Sequence, residues 1–199
     1  MNYLMFEGKK YLLTESEEAV CNTTSNMLPL SSIPAGELCK IDDKEYIVLH
    51  HSEVGTELLM KELYTDDEVF GENNNYNGSN VDDICNKYAE HLANVIGADN
   101  IIEHTVDLTA NDGLKDYGII VRKASLLTAS KARRYVEILD KYKLDKYWWL
   151  ATPWSTPKHE DDDFSLCVSP RGNINYISYD YYGGVRPFCI LKSNILVSK

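Results

Sequence analysis

The last third of the chain contains the feature that most restricts its fold. From Tyr147 onward, short apolar and aromatic runs alternate with polar segments, several of which contain glycine. Strands are predicted at residues 148–151, 164–168, 175–179, 185–191 and 195–197. Such loops favour antiparallel pairing, because a parallel crossover needs a dozen or more linking residues. We therefore expect one antiparallel sheet in which residues 148–151 and 185–191 are both strands.

Two helices are predicted ahead of this β-rich part. Ser79 is a good N-cap, apolar residues then recur at helical spacing over residues 81–96, and Gly97 stands where a C-cap belongs. A second apolar stripe predicts a helix over residues 130–142. Because the apolar stripes of both helices need a cover, we expect them to pack on the antiparallel sheet in an α+β fold.

The N-terminal part is expected to form an arm. Residues 3–13 are predicted to be two short strands around Glu7-Gly8, followed by a polar loop over residues 14–32. A length of 199 residues is close to that of one ordinary domain. We therefore expect a single domain, with residues 1–32 as a hairpin and loop and residues 33–199 as the core.

The charge balance restricts the class of partner. Acidic residues outnumber basic ones by 31 to 20, which gives a net charge of −11. Such a chain repels a phosphate backbone unless its basic residues share one face. Basic runs occur at residues 9–10, 122–123 and 131–134, and the last run is expected to face water on the second helix. We expect no direct nucleic-acid binding, and a protein partner that can present a basic surface.

Neither a secretion signal nor a membrane segment is visible. The first residues lack a basic n-region and a long apolar core, and no apolar run approaches the roughly 18 residues that cross a bilayer. We expect no membrane partner and a cytoplasmic location. The cysteines have no C-x-x-C spacing, so small buried thiols in a reducing compartment are expected. They are Cys21, Cys39, Cys85, Cys167 and Cys189.

The sequence contains no motif of a known catalytic site. G-x-S-x-G, P-loop, G-x-G-x-x-G and H-E-x-x-H patterns are absent. His50 and His51 are adjacent at a strand end and point to opposite faces, which disfavours joint metal binding. The acidic run that includes Asp161 to Asp163 is expected to be solvated. We therefore predict no catalytic residue, no metal ligand and no cofactor, and an enzyme of unidentified type stays an alternative.

Two segments resemble a bacterial and phage family of unknown function. They are Tyr147-Trp148-Trp149-Leu150-Ala151-Thr152-Pro153 and Gly183-Gly184-Val185-Arg186-Pro187-Phe188. In that family a W-W-L-(R/A)-(S/T)-P strand is followed by a V-x-x-x-G hairpin, here residues 168–172, and by a closing G-V-R-P strand. The resemblance extends over about residues 33–197. These ending motifs are also similar to those of C-type-lectin-like domains, including phage variable receptor-binding proteins and formylglycine-generating-enzyme domains.

The resemblance implies a C-type-lectin-like scaffold and no particular activity, because unrelated functions share such scaffolds. The Glu-Pro-Asn and Trp-Asn-Asp segments of calcium-dependent lectins are absent. Cys167 and Cys189 lack the motif that surrounds the catalytic cysteines of formylglycine-generating enzymes. From the residues alone, we expect at least one of Trp148 and Trp149 in the core, and Arg186 bridging carbonyls or a carboxylate.

Tyrosine and asparagine dominate the segments that remain for binding. The chain has 14 tyrosines, and residues 73–80 and 173–182 combine aromatic rings with amides, the mixture that antibody paratopes use. The alternative is a hairpin whose tyrosines pack on the sheet. The residues predicted to bind a partner are Trp154, Asn173, Asn175, Tyr176, Tyr179, Asp180, Tyr181 and Tyr182.

Two functions follow as expectations. The first is a non-catalytic binding protein of a phage or prophage-bearing bacterium, in the host cytoplasm or the virion, that recognises a protein or glycan through these residues. The second is a phage-encoded acidic inhibitor of a bacterial defence system, anti-CRISPR-like or other, that blocks a basic nucleic-acid-binding surface.

Overall fold

The computed structural model describes residues 3–6, 9–12, 27–160 and 162–199. The strands are β1 (Tyr3–Phe6), β2 (Lys9–Leu12), β3 (Met27–Pro29), β4 (Leu38–Ile41), β5 (Lys44–His51), β6 (Thr56–Met60), β7 (Thr65–Val69), β8 (Ile101–Ile102), β9 (His104–Asp107), β10 (Ile119–Arg122), β11 (Ala124–Ser125), β12 (Trp148–Pro153), β13 (Phe164–Val168), β14 (Ile174–Ser178), β15 (Tyr182–Val185), β16 (Phe188–Leu191) and β17 (Leu196–Ser198). The helices are α1 (Asn80–Ile96), α2 (Ala129–Arg134) and α3 (Val136–Leu139).

Most strands belong to two sheets. The larger sheet has the order β11-β16-β6-β5-β4-β17-β3, with β8 also paired to β16. The smaller sheet has the order β14-β13-β12-β15-β7, and β1–β2 and β9–β10 are separate antiparallel pairs. Among the described strands the pairing is antiparallel except between β12 and β15, where Trp148 pairs with Gly184 in parallel. The expected α+β class with antiparallel sheets is confirmed.

The expected single strand over residues 185–191 is wrong. β15 ends at Val185 in the smaller sheet, and β16 begins at Phe188 in the larger sheet. Pro187 has no N–H to donate to a ladder, and its carbonyl accepts the N–H of Met60 at 2.9 Å. The chain therefore passes from one sheet to the other at Arg186 and Pro187, and β12 and β16 do not share an antiparallel sheet.

Helix α1 follows its sequence signals. The Ser79 side chain accepts the N–H of Asp82 at 3.2 Å, and Gly97 follows the last turn with a φ of +85°. This positive φ favours glycine, which ends the helix where the sequence predicts. The helix buries Val81, Cys85, Tyr88 and Leu92 of the predicted apolar face, whereas Val95 of that face is 41% exposed.

The expected second helix is interrupted. α2 and α3 meet at Tyr135, which has φ −103° and ψ 18°, and a 3₁₀ turn follows α3. The Tyr135 hydroxyl donates to Glu57 Oε2 at 2.7 Å, and Lys131 Nζ pairs with Glu57 Oε1 at 2.6 Å. Lys131 is therefore half-buried against a buried carboxylate, which corrects the expectation that it faces water, whereas Arg133 and Arg134 are exposed.

The N-terminal strands agree with the prediction where they are described. β1 and β2 pair with Phe6 opposite Lys9, as expected for a hairpin. The predicted loop over residues 14–32 lies outside the described residues up to residue 26. Its last part is not loop, because β3 pairs with β17 and residues 30–32 form a 3₁₀ turn.

Both tryptophans of the predicted strand are buried on opposite faces. Trp148 is 2% exposed and packs with Leu150 and Phe188, and Trp149 is 0% exposed and packs with Phe70. The Trp149 Nε1–H donates to the carbonyl of Glu68 at 2.9 Å. The expectation of at least one buried indole is confirmed.

The closing segment fits tightly around these indoles. A Cβ at Gly183 would lie 2.8 Å from Trp149 Nε1, so the strand can approach only without a side chain there. Arg186 is 1% exposed, and it donates to the carbonyls of Met60 and Lys61 at 2.8 and 2.7 Å. The expected bridging of carbonyls is confirmed, and burial lowers the pKa of Arg186 to about 10.

The described cysteines are free and buried. They are Cys39, Cys85, Cys167 and Cys189, and burial raises the pKa of each thiol to about 12. Such thiols are poor nucleophiles at neutral pH. Cys21 lies outside the described residues. In the described ranges no helix combines the length and apolar character that a membrane span requires.

Candidate functional site

Three aromatic rings form a partly exposed cluster at one edge of the smaller sheet. We call this cluster, formed by Trp154, Phe164 and Tyr176, the aromatic edge. The Trp154 and Tyr176 ring centroids are 4.5 Å apart at 34°, and those of Phe164 and Tyr176 are 5.6 Å apart at 85°. Tyr176 is 46% exposed on the edge strand β14, and Trp154 is half-buried. The rings therefore present a preformed surface to solvent.

Local hydrogen bonds fix the aromatic edge. The Trp154 N–H donates to the carbonyl of Phe164 at 3.0 Å, just beyond the end of β12. The Asn175 side chain accepts the N–H of Tyr176 at 2.9 Å, which occupies a backbone donor of the edge strand. Asn173 and Asn175 are exposed, and the Asn175 side chain leaves β14 on the face opposite to Tyr176.

Asn74 positions this cluster from a distance, and it was not among the predicted binding residues. Its Nδ2 donates to the carbonyls of Ser155 and Phe164 at 3.1 and 2.8 Å, and its Oδ1 accepts from the Tyr117 hydroxyl at 2.7 Å. The side chain is fully buried. Ser155 follows Trp154 in the chain, and the Phe164 carbonyl also accepts the Trp154 N–H, so Asn74 is a positioning residue. Its sequence signals are its place in an asparagine-rich turn and in the Asn73-Asn74-x-Tyr76 segment, which belongs to the family resemblance.

The other predicted binding residues are placed differently. Tyr179 is half-buried and packs on the cluster that contains Phe70, whose N–H donates to the Tyr179 carbonyl at 2.8 Å. Asp180 is exposed, and Tyr181 and Tyr182 are 60% and 61% exposed. Among the described aromatic pairs, no ring contact joins these residues to the aromatic edge. The structure thus brings Trp154 and Tyr176 together and sets Tyr181 and Tyr182 apart.

The asparagine-rich loop over residues 73–80 lines a groove of about 480 Å³. Asn73 and Asn75 accept backbone N–H groups two residues further on, at 2.9 and 3.1 Å. The Asn77 side chain accepts from Arg122, which also forms an ion pair with Asp82. These amide oxygens therefore stabilise the loop and the start of α1.

One buried contact joins a serine and a histidine, the residue types of a catalytic dyad. His104 Nε2 lies 2.9 Å from Ser125 Oγ, and that hydroxyl donates to the carbonyl of Leu126 at 2.9 Å. The serine proton is thus directed at a carbonyl, so Nε2–H of the neutral ring is the donor to Ser125. Burial lowers the pKa of His104 to about 4, and both residues are buried. The contact is suited to packing, because no substrate can reach it.

The described residues contain no group of three or more histidine, cysteine, aspartate or glutamate side chains arranged for a metal ion. Asp161 of the acidic run lies outside the described residues, and the Asp162 carbonyl accepts the N–H of Asn74 at 3.2 Å.

The comparisons with known proteins assign the chain to no family. No protein-family model, no curated protein and no solved structure matches it.

Proposed function

We propose that the protein is a non-catalytic binding module that recognises its partner through the aromatic edge. The observation that carries the proposal is the close, tilted ring pair of Trp154 and Tyr176, which is held in place before any partner arrives. A preformed aromatic surface buries apolar area on binding at a low cost in side-chain entropy. We expect the exposed amides of Asn173 and Asn175, at the same end of the edge strand β14, to add hydrogen bonds to the partner.

We also propose that the scaffold is C-type-lectin-like. Support comes from the meeting of the two motifs that carry the resemblance: Trp148 pairs with Gly184, and the Arg186 guanidinium lies 5.1 Å from the centre of the Trp148 ring. The partner on this proposal is a protein or a glycan of a bacterial host, met in the cytoplasm or at the virion. Partly exposed rings suit either, since aromatic faces pack on sugar C–H groups and on protein side chains.

The test is a comparison of baits. Wild-type protein, Tyr176→Ser and the control Val121→Ser are used for capture from the native host and on a panel of bacterial surface glycans. Val121 is 53% exposed on the separate β9–β10 pair, so it matches Tyr176 in exposure. We expect a partner that wild type and Val121→Ser retain and Tyr176→Ser loses. A partner retained equally by all three proteins contradicts the proposal.

A second function, the acidic inhibitor, is favoured by the opposite edge of the smaller sheet. There β7 carries Asp66, Asp67 and Glu68, and Lys146 pairs with Asp66 and Asp67 at 2.5 and 3.6 Å. Lys146 holds the pKa of Asp66 below its usual range, so the carboxylate stays charged. A partner with a basic groove offers the same kind of contact on a larger scale.

Salt dependence distinguishes this function from the first. Binding through β7 is expected to weaken steeply with added salt and on the change of Asp66 and Asp67 to asparagine. Binding through the aromatic edge is expected to change little in both experiments. An affinity that is insensitive to salt and to these substitutions contradicts the inhibitor.

A further inference from the structure

An open groove of the described residues is lined by basic side chains. Its volume is about 610 Å³, and it lies between β9, the loop over residues 109–115 and α2. We call it the basic groove. Its charged and hydroxyl-bearing lining includes Thr105, Asp107, Lys115, Ser130, Arg133 and Arg134.

The loop beside the basic groove separates its charges. Asp112 accepts from the Ser155 hydroxyl at 2.6 Å, and Asp116 accepts from the Thr156 hydroxyl at 2.9 Å. Both carboxylates are thus engaged by the segment that follows β12. Lys115, from the same loop, lines the groove. The loop therefore contributes the charge of Lys115 to the groove, whereas the carboxylates of Asp112 and Asp116 accept hydrogen bonds from Ser155 and Thr156.

Arg133 is aimed by a chain of hydrogen bonds. Its guanidinium donates to Asn111 Oδ1 at 3.0 Å, and the Asn111 N–H donates to the carbonyl of Pro153 at 2.9 Å. No described carboxylate lies within ion-pair distance of Arg133, Arg134 or Lys115. The positive potential of these three side chains is therefore available to a ligand.

The rest of the lining restricts the chemistry of that ligand. Ala110 and Ala129 are its apolar side chains, and no aromatic ring lines it, so a nucleobase has nothing on which to stack. Asp107 Oδ1 accepts the N–H and the hydroxyl of Thr109 at 2.9 and 2.6 Å, and these bonds lower the pKa of Asp107. Its other oxygen can accept hydroxyl groups. The groove thus combines anion-binding cations with a hydroxyl acceptor.

We propose that the basic groove binds a small phosphorylated sugar or polyol. The phosphate contacts Lys115, Arg133 and Arg134, because guanidinium groups donate in a planar fork that matches phosphate oxygens. The sugar hydroxyls donate to Asp107. This site is separate from the aromatic edge, so the two proposals can fail independently.

Calorimetric titration at low salt tests the ligand class. The probes are inorganic phosphate, glucose, glucose 6-phosphate, mannose 6-phosphate, glycerol 3-phosphate and adenosine monophosphate. We expect at least one phosphorylated sugar or polyol to bind about tenfold more tightly than inorganic phosphate, which corresponds to one net charge-assisted hydrogen bond. If none binds more tightly than inorganic phosphate, or if adenosine monophosphate binds best, the proposal is overturned.

Variants locate the binding in the basic groove. Arg133→Gln is expected to weaken the best probe about tenfold or more, because a charge-assisted hydrogen bond is lost. Arg171→Gln is the matched control, since Arg171 is exposed between β13 and β14 and does not line the groove. Equal weakening by both variants would show a general charge effect and overturn the site.

Asp107→Asn tests the hydroxyl contact. Asparagine keeps the oxygen that accepts from Thr109 and removes the negative charge. Inorganic phosphate should therefore bind more tightly. The ratio of the affinity for the sugar phosphate to that for inorganic phosphate should fall. An unchanged preference would exclude Asp107 from ligand recognition and overturn that part of the proposal.

Discussion

The centre and the edge of the smaller sheet are both rich in aromatic residues, yet they differ in what surrounds the rings. At the centre, Trp148 and Trp149 are buried, and the Trp149 indole N–H and the Arg186 guanidinium donate to carbonyls. At the edge, the Trp154 and Tyr176 rings contact each other with part of their surface in water. Aromatic content alone therefore does not separate scaffold from binding surface. Exposure and hydrogen-bond satisfaction do.

The largest expected effect is at the centre. Trp149→Ala removes a fully buried indole and leaves the Glu68 carbonyl without its donor. We expect a loss of about 3–5 kcal/mol in the free energy of unfolding, measured by urea denaturation. A loss below about 1 kcal/mol would mean that the buried rings at the centre stabilise the fold no more than the exposed rings at the edge do.

The pH dependence of stability tests how dry the interior beside β16 is. The His104 ring lies 5.0 Å from that of Phe188, and burial lowers the pKa of His104 from 6.5 to about 4. As pH falls from 6.5 towards 4, His104 becomes protonated in the unfolded chain but stays neutral in the folded protein. The free energy of unfolding therefore falls in that pH window and not above it. The full contribution is about 3 kcal/mol.

The variant His104→Gln isolates this effect. It lacks the titrating ring, so its free energy of unfolding should fall less between pH 6.5 and 4 than that of wild type, as measured by denaturation at each pH. Parallel pH profiles would mean that His104 is hydrated and that the interior next to Phe188 is not closed.

The smallest expected effect on stability is at the edge. Tyr176→Ser removes a half-exposed ring, and we expect a loss of less than about 1 kcal/mol in the free energy of unfolding. The fluorescence of Trp154 should nevertheless change, because the substitution removes the Tyr176 ring, whose centroid lies 4.5 Å from that of Trp154. A loss comparable to that of Trp149→Ala would place Tyr176 in the scaffold.

Local signals predicted the fold well where they act alone. Ser79 and Gly97 define the ends of helix α1. The hydrogen bonds that they make, Ser79 with the N–H of Asp82 and the Gly97 N–H with the carbonyl of Ala93, both lie within this segment. The break at Tyr135 was missed, and the hydrogen-bond partner of its hydroxyl, Glu57, lies on a distant strand that the local pattern does not reveal. The change of sheet at Arg186 and Pro187 had a visible signal in the proline, but which sheet each half joins depends on non-local pairing.

The candidate sites show the same limit. Tyr176 and Trp154 were predicted to bind from composition, but only the packing shows that they touch while Tyr181 and Tyr182 do not join them. The basic groove was not predicted at all. The run over residues 131–134 was expected to be a solvated helix face, and Lys115 comes from a separate loop whose Asn111 is bonded to both Arg133 and Pro153.

The passage of the chain between sheets at Arg186 and Pro187 has a consequence for how the protein comes apart. Neither β15 nor β16 can leave its sheet without pulling on two residues that are fixed to β6 and its following turn through Met60 and Lys61. Arg186 and Pro187 therefore link the smaller sheet to the larger one. The two sheets then share one opening reaction, and their slowest amide hydrogens should exchange with the same free energy.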